Sequence, residues 1–206
     1  MRILSIYHTF QHRFRPARMR QFVELFGIKD ASRIIDIGGT PANWSYIAEK
    51  PRLTIVNLEK FADDHDNIKH ETGDARALGY QDRAFEIAYS NSVIEHVGSW
   101  EDQQRFAAEI RRVAPRYYVQ TPYKWFPIEP HLLAPFIHYL PKSIHRHLTW
   151  MGAWYWSVKP DRKGIDSYVD EIQLLDVRQM QTLFPDAQIM RERFFGFTKS
   201  LIAVRR

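Results

Sequence analysis

Residues 36–44, DIGGTPANW, look like a nucleotide-binding loop that has few glycines. Gly38 and Gly39 let a backbone approach a ligand closely, and a helix that starts after them would point its N-terminus at that ligand. A pyrophosphate is bound by the full pattern G-x-G-x-x-G. The stretch GGTPAN lacks that spacing and has Pro41 in the turn. The loop therefore favours a ligand without a pyrophosphate.

Two further acids stand where such a ligand could be bound. Glu59 ends an apolar run 23 residues beyond Asp36, and its carboxylate can accept both hydroxyls of a ribose. Asp74 lies in the segment GDARAL, where its side chain and the backbone of Ala75 could bind the amino group of an adenine. Any one of these acids alone is more often a cap or a turn residue. Together they favour a ligand with ribose and adenine but no phosphate, and S-adenosylmethionine is the common ligand of that description.

The elements that must position these residues alternate between strand and helix. Apolar, β-branched segments predict four strands: RIIDIGG, LTIVNLEK, FEIAYSNS and RYYVQTP. Apolar residues at helical spacing predict three helices: Arg18 to Phe26, ended by Gly27; ANWSYIAEK, ended by Pro51; and Glu101 to Val113. We expect a polar loop from Asp63 to Leu78. This alternation is typical of a parallel sheet with helices on both faces.

The C-terminal part completes this pattern. LDVRQMQTLFP is predicted as a helix, and AQIMRERF and SLIAVRR as two successive strands that pair in antiparallel fashion. The sequence therefore predicts an α/β fold with a Rossmann-like, doubly wound, mostly parallel sheet and an antiparallel C-terminal strand. In such a sheet, ligands bind beyond the carboxyl ends of the strands, which is where the three acids stand.

The length of 206 residues suits one substantial core. We expect a single domain over residues 1–206, with a helical leader over 1–30 and an inserted lid over 122–170 that follows the strand RYYVQTP. The insertion is rich in Pro, Trp, Tyr and His. A segment of this length is rarely without structure inside a compact domain, so we expect short helices in it.

Composition excludes several classes of function. The chain has no cysteine, which excludes disulfides, zinc–thiolate sites and cysteine nucleophiles. No apolar run approaches the roughly 18 residues of a membrane span, and the first residues lack a signal-cleavage pattern, so we expect a cytoplasmic protein. The net charge is +5, and the dense basic cluster is Arg13, Arg15, Arg18 and Arg20. We interpret that cluster as a solvated helix face, which makes nucleic acid an unlikely partner.

The segment GDARALGYQDRAFEIAYSNSVIEHV carries the most specific resemblance to a known family. With the loop and strands around it, from about Arg33 to Val119, the sequence resembles class I S-adenosylmethionine-dependent methyltransferases of the broad type called methyltransferase type 11. Three residues depart from the family pattern: Thr40 and Ala42 replace glycines, and Glu86 replaces an aspartate. The resemblance implies a cofactor site in which the methionine part, the ribose, the adenine and the neighbouring loop are lined by Asp36, Gly38, Gly39, Thr40, Glu59, Asp74, Ala75 and Asn91.

Each kind of methyl transfer needs particular residues, and the residues present limit the possible classes of methyl acceptor. Transfer to pyrimidine C5 uses a cysteine, which is missing, and SNSV stands where adenine-N6 enzymes have an Asn/Asp-Pro-Pro-aromatic loop. A hydroxyl acceptor instead needs a group that takes its proton. The candidate catalytic residues are Glu95 and His96 after the strand FEIAYSNS, and Glu129 and His131 in the insertion.

The insertion begins with TPYKWFPIEPHLLAPFIHYLP, which must leave the sheet beside the site of transfer. Its prolines stiffen the chain, and we predict Tyr123, Trp125 and Phe126 as substrate-binding residues, with core packing an open alternative for the last two. Related methyltransferases from bacterial surface-polysaccharide and natural-product gene clusters have a similar FPIEPH-like stretch. That resemblance favours a saccharide or another small hydroxylated molecule as the acceptor.

Other interpretations stay open at this point. The arginines of the leader could clamp RNA for an RNA methyltransferase, and the altered loop could belong to a non-catalytic homologue that only binds the cofactor. His138, His145 and His147 have no fixed ligand spacing, so we expect no metal. The aromatic segment 151–158, MGAWYWSV, predicts either a lining for the acceptor pocket or a homodimer contact.

Overall fold

The computed structural model describes residues 2–59, 64–129 and 131–206, and the side chains of its first helix from Phe14 onward. The helices within these residues are α1 (Arg2–Phe26), α2 (Pro41–Trp44), α3 (Trp100–Val113), α4 (Lys142–Leu148), α5 (Ala153–Val158), α6 (Arg162–Glu171) and α7 (Val177–Leu183). The strands are β1 (Arg33–Ile37), β2 (Arg52–Asn57), β3 (Ile68–Thr72), β4 (Ile87–Asn91), β5 (Arg116–Pro122), β6 (Ile128–Glu129), β7 (Ala134–Pro135), β8 (Gln188–Phe194) and β9 (Phe197–Arg205).

Seven of these strands form one sheet in the order β3-β2-β1-β4-β5-β9-β8. The strands from β1 to β5 run parallel, whereas β9 pairs antiparallel with both β5 and β8. The predicted fold class is thereby confirmed, including the antiparallel C-terminal strands. Strand order reverses between β1 and β4, which is where ligands bind in sheets of this type.

Both faces of the sheet are covered by apolar layers. On one face, Ile35 and Ile37 pack with Phe106 and Ile110 of α3. On the other face, strand residues such as Ile34 and Ile55 pack against Met19, Phe22 and Phe26 of α1. Successive residues of β1 thus point to opposite layers, as the period of a strand requires. The helix predicted from Arg18 to Phe26 is the last part of α1, and it ends at Gly27, whose φ of +60° suits glycine.

The segment from Asp63 to Leu78, predicted as a loop, contains the strand β3. Within the part of the chain that the structure describes, β2 is the one strand of the sheet that pairs with it, so β3 is an edge strand. Its sequence, IKHET, is mostly polar because an edge strand has little apolar surface to bury. A prediction based on apolar runs therefore misses it.

The helix predicted over ANWSYIAEK is wrong in length, because α2 is only the four residues PANW. Ser45 follows it, and the Ser45 hydroxyl donates to the carbonyl of Ala42 at 2.9 Å, a local bond that competes with helix continuation. Tyr46 and Ile47 still pack against the α1 face of the core. Both residues lie in a turn or bend and not in a helix. Because they still contact the core, their apolar side chains have the spacing that is typical of a helix.

The insertion between β5 and α7 has its own small apolar cluster. Leu132, Ala134 and Ile137 are buried there, with Trp154 and Tyr168 packed against them. The indole of Trp154 stacks on the ring of Tyr168 with centroids 4.4 Å apart. Helices α4, α5 and α6 are short, with seven, six and ten residues. Among the described residues, no helix is both long enough and apolar enough to cross a membrane.

Arg18 is a buried cation and does not belong to a solvated basic face. Its guanidinium donates to the Glu192 carboxylate at 2.7 and 2.6 Å and to Asn91 Oδ1 at 2.9 Å. Only 8% of Arg18 is exposed. The interpretation of the whole cluster as a solvated face is therefore wrong at this position, because Arg18 connects α1 to the ends of β4 and β8.

Asp36 is a buried carboxylate in β1. Its Oδ2 accepts a hydrogen bond from the indole of Trp44 at 2.7 Å, and its Oδ1 has no hydrogen-bond partner among the described residues. Burial raises the pKa of Asp36 to about 7, although the bond from Trp44 acts in the opposite direction. The group therefore changes charge near neutral pH.

We expect Arg18→Met to lower the free energy of unfolding by about 3 kcal/mol, because it leaves Glu192 buried with less compensation. Arg20→Met is the matched control on the same helix, since Arg20 is exposed, and it should change stability by less than about 0.5 kcal/mol. Urea denaturation of both variants measures the difference. Equal effects would contradict the burial of Arg18.

From the raised pKa of Asp36 we predict that the free energy of unfolding falls as pH rises. The unfolded carboxyl releases its proton near pH ~3.9, whereas the folded one keeps it to about pH 7. Between these values the folded state binds more protons, so its stability declines by at most about 1.4 kcal/mol per pH unit. Asp36→Asn keeps an acceptor for Trp44 and removes this decline. Urea denaturation of both proteins at pH 5 and pH 8 measures it, and identical pH slopes would refute the prediction.

Candidate active site

A cavity of about 590 Å³ opens at the carboxyl ends of β1, β2 and β3. This volume lies within the range of roughly 300–1,000 Å³ that is usual for small-molecule sites. Six of the eight predicted cofactor-binding residues line it together: Gly38, Gly39, Thr40, Glu59, Asp74 and Ala75. The structure therefore brings the glycine loop, Glu59 and Asp74 to one shared cavity.

Both glycines of the loop after β1 lie so close to neighbouring side chains that an added Cβ would clash. Gly38 has a φ of +72°, and a Cβ there would lie 2.5 Å from Cγ2 of Val93. A Cβ at Gly39 would overlap the carboxylate of Asp36 beneath it. No side chain fits at either position, so the loop exposes backbone to the cavity.

Asp36 and Asn91 do not line this cavity in the described structure. The Asp36 carboxylate lies under Gly39 and is bonded to Trp44. Asn91 is turned toward Arg18, from which it accepts a hydrogen bond at 2.9 Å. In this structure both residues are engaged by side chains at the strand ends, and their contact with a cofactor stays a prediction.

The end of β2 contributes a residue that the sequence analysis missed. Asn57 lines the cavity, and its Nδ2 donates to the carbonyl of Gly39 at 3.1 Å. This bond joins the end of β2 to the loop after β1. Glu59, two residues further, is exposed at the cavity wall. The position of Asn57 as the last residue of a buried strand is a signal that could have identified it.

At the end of β3, Asp74 is paired with Arg76. The guanidinium of Arg76 donates to Asp74 at 2.7 and 2.9 Å, and the Arg76 backbone N–H donates to the same carboxylate at 2.9 Å. Both residues line the cavity. The hydrogen bonds from Arg76 lower the pKa of Asp74, so this wall carries a carboxylate at neutral pH.

The other wall of the cavity is formed by a 3₁₀ turn after β4. Residues Ile94–His96 make this turn, and the buried amide of Gln103 holds it by donating to the Ile94 carbonyl at 3.0 Å and to the Gln173 carbonyl at 2.9 Å. His96 lines the cavity, and its ring meets the ring of His131 edge to face with centroids 4.9 Å apart. His96 therefore connects the cavity to the insertion.

Three of the four predicted catalytic residues lie behind His96. Glu129 is buried, and its Oε1 lies 2.8 Å from Nδ1 of His131. Its Oε2 accepts bonds from the backbone of Leu132 and from the hydroxyl of Tyr168. Burial raises the pKa of Glu129, but the hydrogen bond and charge of His131 together with the bond from the Leu132 backbone outweigh it and leave the pKa lowered. Burial lowers the pKa of His131, but the hydrogen bond to Glu129 and the neighbouring carboxylates together outweigh it and leave the pKa raised.

Glu95 is the fourth candidate and is completely buried. Its Oε2 accepts a hydrogen bond from Thr121 at the end of β5, at 2.9 Å. Burial raises the pKa of Glu95, whereas burial lowers that of His96, where the neighbouring His131 adds to the effect. The structure therefore collects Glu95, His96, Glu129 and His131 beside the cavity, although two of them follow β4 and two lie in the insertion.

The predicted substrate-binding residues are placed differently. Tyr123 packs against the α3 side of the core, and Phe126 is buried with 6% exposure. Trp125 is half exposed and contacts the ring of Tyr139. None of the three is among the described residues that line the cavity. Core packing is the observed environment of Phe126, while contacts of the three with an acceptor stay predictions.

The aromatic segment 151–158 is divided between interior and surface. Trp154 packs on Tyr168 in the insertion, whereas Trp156 and Val158 are more than half exposed. Neither a pocket lining nor a homodimer contact is visible from these positions alone, and both stay predictions.

Another cavity of about 590 Å³ lies at the opposite edge of the sheet, beside the amino ends of β1, β2 and β3. Arg33, Arg52 and Ile68, the first residues of these strands, are part of its lining. Ligands in open parallel sheets bind at the carboxyl ends. We therefore take the cavity at Gly38 and Glu59 as the candidate active site.

Comparison with protein families gives one direct match. Residues 49–116 match the family model described as a methyltransferase domain. This segment runs from the end of the turns after α2 to the start of β5 and includes Glu59, Asp74 and His96. No curated protein matches the sequence.

Several solved structures share the fold at low sequence identity. Phosphoethanolamine N-methyltransferase 2 of Haemonchus contortus, in complex with S-adenosyl-L-methionine, has a TM-score of 0.56 and 12% identity over 85% of this chain. The match spans only 38% of that enzyme's length. The 1,6-didemethyltoxoflavin-N1-methyltransferase of Burkholderia thailandensis, solved with S-adenosylhomocysteine, has a TM-score of 0.58 and 12% identity over 98% of this chain and 84% of that one.

A third similar structure is magnesium protoporphyrin IX methyltransferase from Synechocystis PCC 6803 with bound S-adenosylhomocysteine. It has a TM-score of 0.53 and 11% identity over 95% of this chain and 84% of that one. These three enzymes are named for different acceptors, so their likeness to this chain is a likeness of fold. The family match and the shared fold confirm the predicted resemblance to class I S-adenosylmethionine-dependent methyltransferases.

Proposed function

We propose that this protein transfers the methyl group of S-adenosylmethionine to a hydroxyl of a saccharide or another small metabolite. The observation that carries this proposal is the shared cavity, which Glu59, Asp74 and His96 line together. The family match and the neighbours that hold S-adenosylmethionine or S-adenosylhomocysteine support the cofactor.

In this proposal the cofactor lies along the carboxyl ends of the strands. The methionine part contacts the backbone of Gly38 and Gly39, where no side chain fits. The ribose hydroxyls bond to Glu59, and the adenine lies between Asp74 and Ala75. The Asp74 carboxylate keeps acceptor sites beside those used by Arg76, because a carboxylate can accept about four hydrogen bonds.

The sulfonium then faces His96 and the residues behind it. The acceptor oxygen attacks the methyl carbon in line with the breaking S–C bond, and sulfur keeps the electron pair, which leaves S-adenosylhomocysteine. The oxygen loses its proton as the O–C bond forms. The two imidazoles of His96 and His131 and the carboxylate of Glu95 are the groups that can activate this hydroxyl and receive its proton.

The choice of a hydroxylated acceptor rests on the insertion. Glu129 and His131 belong to the FPIEPH stretch that resembles sugar-modifying and natural-product methyltransferases, and both lie beside His96. Of the arginines in the alternative of an RNA methyltransferase, Arg18 is buried against Glu192, and the side chain of Arg13 lies outside the described residues; a phosphate clamp by Arg13 and Arg15 stays a prediction. A non-catalytic homologue would bind the cofactor in this cavity without turnover. A turnover assay distinguishes it from an active methyltransferase.

Binding of S-adenosylhomocysteine tests the cofactor site. We expect Glu59→Ala to weaken binding at least about tenfold, since it removes a charged acceptor worth about 1.5–3 kcal/mol. Glu86→Ala is the matched control, because Glu86 pairs with Arg33 away from the cavity. Isothermal titration calorimetry measures both. A protein that binds no S-adenosylhomocysteine, or a Glu59 variant that binds as well as the control, would reject the proposed site.

Turnover tests the acceptor side. With an acceptor found in a panel of hydroxylated saccharides and small metabolites, we expect His131→Ala to lower kcat by about 10²–10⁴-fold. The affinity for S-adenosylhomocysteine should stay within about threefold, because His131 lies behind His96 rather than on the cavity wall. His147→Ala is the control, since His147 is exposed. Binding of the cofactor without turnover of any acceptor would favour the non-catalytic alternative.

A further inference from the structure

Glu95, His96 and His131 offer three potential metal-ligand atoms that all lie within 4.8 Å of one another. Zinc bonds to nitrogen and oxygen are about 2.0–2.2 Å long, which places tetrahedral ligand atoms about 3.4 Å apart. Small rotations of these side chains would therefore bring the three atoms around one ion. The expectation of no metal was based on the spacing of His138, His145 and His147, and this group consists of other residues.

His131 already has a carboxylate at hydrogen-bond distance from one ring nitrogen, and His96 has a carboxylate nearby. Glu129 Oε1 lies 2.8 Å from Nδ1 of His131, and Glu171 Oε1 lies 3.7 Å from Nδ1 of His96. Metal-binding histidines usually donate one ring N–H to a carboxylate, which fixes the ring and leaves the other nitrogen for the ion. Glu129 is itself held by Leu132 and Tyr168. The supporting contact of a metal-binding histidine is thus present at His131.

The carboxylate of Glu95 gives an independent observation. The residue has no exposed surface, yet its Oε1 has no hydrogen-bond partner among the described residues. Oε2 is bonded to Thr121, which fixes the carboxylate in place. A buried carboxylate oxygen without a partner is costly, and a bound cation removes that cost.

We propose that Glu95, His96 and His131 bind a divalent transition-metal ion such as Zn²⁺. Two imidazoles select transition metals over Mg²⁺ and Ca²⁺, which prefer all-oxygen ligands. Three protein ligands leave at least one coordination position open for a substrate or water. The ion also offsets the negative charge of Glu95 and Glu129, two carboxylates buried within the same group.

The position of this site gives the ion a role that rests on the proposed function. His96 belongs both to the metal group and to the wall of the cofactor cavity. An acceptor hydroxyl that occupies the open position would therefore lie next to the cofactor. With Glu95, His96 and His131 as its ligands, the ion takes their place in activating the hydroxyl. Coordination lowers the pKa of the hydroxyl, so its oxygen is available as the nucleophile and its proton is released to water.

The test uses the full chain, stripped of metal with a chelator and titrated with Zn²⁺ and, as a spectroscopic probe, with Co²⁺. We expect one ion per chain and a visible Co²⁺ absorption band. His131→Ala and Glu95→Gln should lower Zn²⁺ affinity at least about 100-fold, and Glu129→Gln should lower it about 10–100-fold. His147→Ala should bind as the wild type does. Circular dichroism and S-adenosylhomocysteine binding of each variant verify that it is folded.

The proposal is overturned if Zn²⁺ and Co²⁺ do not bind stoichiometrically, or if His145→Ala abolishes binding while His131→Ala does not. Full methyl transfer by the stripped protein would reject the catalytic role and leave the proposed function intact. If the wild-type chain binds Zn²⁺ through His131 but does not bind S-adenosylhomocysteine, the proposed function is rejected and the metal site remains.

Discussion

The parallel arrangement of β1 to β5 is the constraint on which the candidate site depends. Because these strands run in one direction, the residues that follow them meet at one edge of the sheet. Gly38, Glu59 and Asp74 follow β1, β2 and β3, and His96 follows β4. Residues separated along the chain therefore line one cavity.

The ends of these strands are tied together by buried polar contacts. Asn57 bonds to the carbonyl of Gly39, and the carboxylate of Asp36 supports the same loop from below. At the other end of the row, Thr121 bonds to Glu95, which joins β5 to the turn that carries His96. The bonds of Asn57 and Thr121 each connect neighbouring strand ends, so the cofactor wall and the acceptor wall are positioned by one sheet.

The sequence predicted the parts that depend on local pattern. The parallel strands with apolar runs, the glycine loop and the acids Glu59 and Asp74 could all be predicted, because a buried strand and the residue after it are adjacent in sequence. The strand β3 was missed because an edge strand needs little apolar surface. The burial of Arg18 by Glu192 and the meeting of His96 with His131 depend on contacts between distant residues, which local spacing does not encode. Asp36 and Asn91 have the residue types of ligand-binding groups, but packing turns them toward Trp44 and Arg18.

A crystal structure with S-adenosylhomocysteine tests the central claim most directly, namely that the strand ends form a cofactor site that leads to the histidines. The account predicts ribose hydroxyls within hydrogen-bond distance of Glu59, adenine beside Asp74, and the sulfur on the His96 side of the cavity. Adenosine bound at the amino ends of the strands, in the cavity of Arg33 and Arg52, or a sulfur facing away from His96, would contradict it.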